Sequence, residues 1–268
     1  MKPILFTVFI TAFTSLKAQE FSADKIPDSL LKNASLVKRY EETLLEIKSP
    51  GKFILHNREV YTILNEDANG YASFRSNHDN FTTIDYASGK LYDKDGKEMK
   101  HVKKKDMPDN AVADGSNFMQ DERYISNDFA FRSYPYIVDY EDDETNDGVL
   151  FFPEWKPVDN TDESLQYSKY VITAPSGYEV RWHQLNFSRP PVITEKNGQK
   201  TYTWELKNIP ASVHEEFAPP KIELLPYMMV APSDFEIQGY TGNMSTWKNF
   251  GNFIYQLKKG RDILPDET

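Results

Sequence analysis

Apolar and polar side chains alternate one by one along most of this chain, from about residue 34 to residue 207, instead of recurring every third or fourth position. Val60, Thr62 and Leu64 fall on one side of such a pattern, with Tyr61 and Ile63 on the other. Tyr134, Tyr136, Val138 and Tyr140 make a second stripe; Tyr202, Trp204 and Leu206 make a third against Thr201, Thr203 and Glu205. A repeat of two predicts strands with one face buried. The pairs Asn69-Gly70, Ser88-Gly89, Asp95-Gly96, Ser176-Gly177 and Asn197-Gly198 offer the positive-φ residues of tight turns between them. The clearest hairpin turns at Asn197-Gly198, where Val192 to Glu195 return as Lys200 to Leu206. Roughly ten or more strands are predicted, too many for one flat sheet. The expected fold is therefore all-β: a large antiparallel two-sheet sandwich or saddle.

Two helices bracket the strands. Pro27 and Asp28 open a short one that carries Leu30 and Leu31 and ends at Asn33. Toward the other terminus Trp247, Phe250, Phe253, Ile254 and Leu257 recur at three and four, which predicts an amphipathic helix over Ser245 to Lys259. Ser245 is its expected N-cap and Gly260 its stop. Lys258, Lys259 and Arg261 complement its negative end. Glu141 to Glu144 with Asp147, and Ala218-Pro219-Pro220, read as surface loops or strand ends.

The first residues follow a different pattern. Lys2 precedes an apolar run from Ile4 to Phe13, and Ser15-Leu16-Lys17-Ala18 ends in a small residue suited to signal-peptidase cleavage. A run of that length rises about 15 Å as a helix, half a bilayer core, so it is read as an export leader and not as a membrane span. The expected organisation is a leader over 1–18, a β domain over 19–242, and a C-terminal helix and junction over 243–268. The expected location is the periplasm or the medium, and the mature chain is not expected to be an integral membrane protein.

Composition narrows the chemistry. The 268 residues include no cysteine, which excludes a thiol nucleophile and a disulfide. The formal charge is −10, and removing the two lysines of the leader takes it to −12, which argues against a nucleic-acid partner. Asp93-Lys94-Asp95-Gly96 resembles the start of a calcium loop, but the twelfth position is Lys104 where a bidentate Glu is needed, so a hairpin turn is the better reading. His214-Glu215-Glu216 lacks the second histidine of a zinc peptidase helix, and His56, His78, His101 and His183 share no ligand spacing. No cofactor or metal is expected. The acidic run 141–144 could form half of a glycosidase carboxylate pair, though sequence does not give a separation. Trp155, Tyr178 and Trp182 could form a platform for a glycan or peptide, with core packing as the plainer alternative.

The order of several short segments carries a resemblance. Tyr61-Thr62-Ile63-Leu64-Asn65, Leu91-Tyr92-Asp93, Tyr134-Pro135-Tyr136, Phe152-Pro153-Glu154-Trp155, Ile209-Pro210-Ala211 and Gly260-Arg261-Asp262 appear in that sequence. Together they resemble the N-terminal domain of unknown function that precedes a transglutaminase-like domain in secreted Gram-negative proteins. The resemblance implies a large antiparallel β structure with no activity assigned to it, similar to the N-terminal saddle domain of zinc aminopeptidases. It also implies a following domain with a Cys-His-Asp triad. No position here matches that triad, so no catalytic residue is carried over.

Three functions are weighed on this basis. The first is a non-catalytic exported module that supports a transglutaminase-like or peptidase-like partner domain in cis or in trans, docked through Trp247, Phe253, Arg261 and Asp262. The second is a stand-alone binder of envelope glycan or peptide. The third is a carboxylate-based hydrolase, which would require two facing acids in a deep cleft, one of them with its pKa raised by burial.

Overall fold

The computed structural model describes residues 21–112, 121–213 and 215–261; the expected leader lies outside them. Eight strands build the principal sheet: β1 (Leu36–Ser49), β2 (Lys52–Ile63), β4 (Thr82–Tyr92), β5 (Glu98–Lys103), β8 (Tyr136–Asp147), β9 (Glu163–Pro175), β11 (Val192–Lys196) and β12 (Gln199–Ile209). Their order is β11-β12-β9-β1-β2-β8-β4-β5. A second sheet has the order β3-β7-β6, from β3 (Ser73–His78), β6 (Asp109–Ala111) and β7 (Arg123–Asp128). Two further pairs join β10 (Val180–Leu185) to β13 (Tyr227–Pro232) and β14 (Asp234–Ile237) to β15 (Tyr240–Asn243). The β-rich class read from alternation is what forms. Among the described pairings one departs from the antiparallel expectation: β1 and β9 run parallel, which requires a crossover, here residues 148–162.

The small sheets cover one face of the large one. β2 and β8 pair without a register shift, so Leu55 and Tyr61 point the same way, as do Val138, Tyr140 and Asp142 with opposite parity to their neighbours. At one end Leu45, Leu55, Tyr170 and Trp204 pack under Trp155 and the β10-β13 pair. At the other, Tyr61, Val138 and Tyr140 pack under Ile125 of β7 and under Ala72 and Phe129, which flank β3 and β7. The opposite face is closed by the N-terminal segment: Ile26 and Leu30 lie on Val37, and Phe21 lies beside Val60, Tyr92 and Ile137. Val60 to Ile63 and Tyr136 to Tyr140 are consequently shielded on both faces, whereas alternation predicted one.

The turn signals divide. Asn197 and Gly198 both have positive φ (53° and 74°) and join β11 to β12 in the predicted register. Asp95-Gly96 joins β4 to β5, where the Asp93 carboxylate accepts the amides of Asp95 and Lys97, as a hairpin turn does. Asn69-Gly70 instead lies in a 3-10 helix (Glu66–Ala72) whose N-cap is Asn65. Ser88-Gly89 lies inside β4. Gly89 is opposite Tyr140, and a Cβ there would stand 2.6 Å from its ring, so the glycine makes room for an aromatic and does not turn the chain.

Both predicted helices form, the first as a single turn at Asp28–Leu31. The C-terminal helix spans Trp247–Lys258 and is capped by Thr246, whose hydroxyl accepts from the Asn249 amide at 3.1 Å. Ser245 lies one residue outside it, its amide bound to the Asn243 side chain. No helix among the described residues is long and apolar enough to cross a membrane.

Candidate functional site

Between the two apolar clusters the covered face of the large sheet turns polar. Lys38 and Glu41 on β1, Asn57 and Glu59 on β2, and Asp142 and Glu144 on β8 form this belt. A β-bulge between Lys38 and Tyr40 places Lys38 and Glu41, three residues apart, on the same side of one strand. Above the belt opens a groove of about 680 Å³, walled by Tyr71, Phe74 and Ser76 on one side and by Glu59, Asp142 and Glu144 on the floor.

One half of the belt is fully charged and closed. Lys38 is 0% exposed, and its Nζ lies 3.3 Å from Glu41 and 3.4 Å from Glu163. Burial opposes its charge, but Glu163 and Glu41 outweigh burial and hold the ammonium well above its ordinary pKa. Glu41 also accepts from Ser168 and from the Trp155 indole at 3.2 Å. These bonds fix the crossover segment onto the parallel β1–β9 pair.

The other half is acidic. Ser76 Oγ lies 3.0 Å from Asp142 Oδ2 and 2.9 Å from Glu144 Oε1. Burial and the adjacent Glu144 push Asp142 up to about 8. Burial also pushes Glu59 up to about 7, against the pull of Lys38. Carboxyls in such surroundings exchange a proton near neutrality, where ordinary ones are fully ionised.

The acidic run 141–144, expected as a surface loop or a strand end, is no loop but part of the second half of a strand. It occupies β8 and is dealt out to both faces. Glu141 and Asp143 face outward beside His56, with Asp143 Oδ1 2.6 Å from its Nδ1, while Asp142 and Glu144 enter the groove. The period of two, applied through the charges, would have found this arrangement. Ser76 and Glu59 carried no signal of their own, because β3, which carries Ser76, meets the large sheet only through the tertiary fold.

The candidate aromatic platform does not assemble, and core packing, the plainer alternative, is what Trp155 and Tyr178 do. Trp155 is 1% exposed and Tyr178 8%; both belong to the core, Tyr178 donating to the Asp234 carbonyl at 2.6 Å. Trp182 is exposed, its ring tilted against Tyr202 and edge-on to Trp204. The four expected docking residues separate as well. Phe253 is buried edge-on against Phe235 at 4.7 Å and anchors the C-terminal helix, while Trp247 is 90% exposed. Arg261 donates to the Tyr240 hydroxyl at 2.7 Å. Asp262 and His214 lie outside the described residues. Trp247, Phe250, Met244 and Phe151 line an apolar hollow of about 390 Å³, with Arg181 at its side.

Three comparisons place this architecture. A family model described as a domain of unknown function with a solved structure (DUF3857) matches residues 49–213, more than half of the chain. No curated protein matches. Among solved structures, a candidate protease of Parabacteroides distasonis is similar at 17% identity with a TM-score of 0.61, over 74% of this chain and 40% of that one. An M1 zinc metallopeptidase of Deinococcus radiodurans is similar at 11% identity with a TM-score of 0.33, over 78% of this chain and 46% of that one. The chain spans less than half the length of either protein.

Proposed function

The chain belongs to the DUF3857 family, and we propose that it is a non-catalytic exported β module that positions a transglutaminase-like or peptidase-like domain, in cis or in trans. It works in the periplasm or outside the cell, after removal of a leader near Ala18. The observation that carries the reading is the surface around Trp247. This tryptophan and Phe151, 90% and 75% exposed, share one apolar hollow on a helix whose other side is firmly anchored by Phe253. Scattered apolar residues on a surface are ordinary; adjoining aromatics around a hollow suit a partner. The Parabacteroides chain supports the arrangement, since the like-folded region is 40% of a longer protein.

Calorimetric titration tests it. The titrant is a transglutaminase-like domain taken from a protein in which it follows a domain of this family. Binding is expected, with Trp247→Ser costing about 2 kcal/mol, the loss of an aromatic anchor. Absence of heat with the unaltered chain overturns the reading, and so does substrate turnover by the purified chain alone.

A second reading, a binder of envelope glycan or peptide, now rests on the groove and not on Trp155, Tyr178 and Trp182. Tyr71, Phe74 and three carboxyls offer stacking faces and hydrogen-bond acceptors in one concavity. Titration with peptidoglycan fragments tests it, and no heat would remove it.

A further inference from the structure

The groove rim depends on one hydroxyl that meets two acids. Ser76, 5% exposed, is the residue by which β3 touches the acidic floor, and its Oγ lies within 3.0 Å of both Asp142 and Glu144. A serine hydroxyl has one hydrogen to give. If both carboxyls were ionised, one of the two contacts would set lone pair against lone pair in a site with little water. The observed arrangement therefore needs a second proton, carried by the carboxyl pair itself.

No cation stands in for that proton. On β8 the charged neighbour of Asp142 is Glu144, and on β2 it is Glu59; β4 presents Ala87 opposite Asp142 and Ile84 opposite Glu144. β1 presents Lys38 and Glu41, and Lys38 is already held by Glu41 and Glu163. On β3 itself Arg75 also lines the groove, but its guanidinium lies 3.9 Å from the centre of the Tyr124 ring and is bonded to Asn77, and it makes no ion pair with either acid among the described residues. His78, at the end of β3, pairs with Asp109.

We propose that Asp142, Glu144 and Ser76 form a proton-held latch, in which a single proton shared by the two acids seats the distal half of β3 on the large sheet. When that proton leaves, the two carboxylates repel, Ser76 satisfies only one of them, and the Ser76–His78 end of the strand lifts. The Phe74 end stays, because its ring is stacked on Tyr140 at 5.0 Å. Lifting one end widens the groove and exposes a doubly negative floor. The upward displacement of Asp142 and Glu59 from ordinary carboxylate behaviour agrees with this geometry. The latch does not depend on any partner domain.

Hydrogen exchange of the full chain, read by mass spectrometry from pH 5 to pH 10 and corrected for intrinsic rates, tests the latch. Amides of β3 and the facing part of β7 should lose protection about tenfold or more beyond any loss in β12 as the pH passes through about 8. Asp142→Asn carries no charge and always has a donor, so it should keep β3 protected at pH 9. Glu144→Gln should do the same, which guards against one variant failing to fold. Constant protection of β3 in the unaltered chain overturns the proposal. So does an equal loss in β12, which would mean global unfolding, or an undiminished loss in a folded Asp142→Asn or Glu144→Gln chain.

Discussion

Lys38 has no exposure to solvent and two carboxylates within 3.4 Å. Removing its charge leaves Glu41 and Glu163 buried without a cation, and breaking a buried pair from one side costs about 3–5 kcal/mol. Lys38→Met should therefore lower the urea midpoint severely. The triple replacement of Lys38, Glu41 and Glu163 by apolar residues should lose much less, since no charge is then stranded. Gly89→Ala is a second test at this scale. Its methyl would meet the Tyr140 ring, and overpacking of that kind costs about 1–3 kcal/mol in the same assay. Neither residue announced itself in the sequence. Lys38 reads as one more charge in a strand, and Gly89 after a serine reads as a turn, because the partner that explains each is remote: Glu163 for one and Tyr140 for the other.

At the scale of elements, legibility followed periodicity. The C-terminal helix was plain from Trp247, Phe250, Phe253, Ile254 and Leu257, yet its cap lies at Thr246, one place beyond Ser245, whose amide is bound by the Asn243 side chain. Thr246→Ala should cost about 1 kcal/mol of helix stability, seen as earlier exchange of the Asn249 amide. Trp247→Ser should change thermal stability by less than about 0.5 kcal/mol, since an exposed side chain contributes little to folding. A large loss would show that the tryptophan packs on its own module and is not a docking residue. Strand β8 was legible in its first half, from Tyr136, Val138 and Tyr140, but not in its acidic second half. Composition outvoted period: four consecutive acids suggest a solvated loop, although each alternate one has a polar partner waiting across the sheet.

For the whole molecule, the raised acids set the pH response. Asp142 at about 8 and Glu59 at about 7 keep protons in the folded chain that the unfolded chain releases near 4. Their contribution to stability is thus complete in acid and is lost as the pH climbs from about 4 to about 8. Calorimetric Tm should fall across that window, and Asp142→Asn should flatten the fall. Exposed carboxylates paired with cations, such as Asp109 with His78 and Arg123, act in the other direction and only below their ordinary value near 3.8. The all-β class and the hairpins at Asp95-Gly96 and Asn197-Gly198 could be read from the chain alone. The polar belt could not, because it is assembled from three strands and a bulge.

The parallel join of β1 to β9 bears on how the chain survives its own synthesis. Until residues 163–175 leave the ribosome, β1 has a partner on one side only, and its free edge carries Lys38 without Glu163 beside it. An open edge of this length is a template for other chains. A fragment ending at Asp147 should precipitate where the longer chain stays dispersed, and adding a peptide that spans β9 should rescue it.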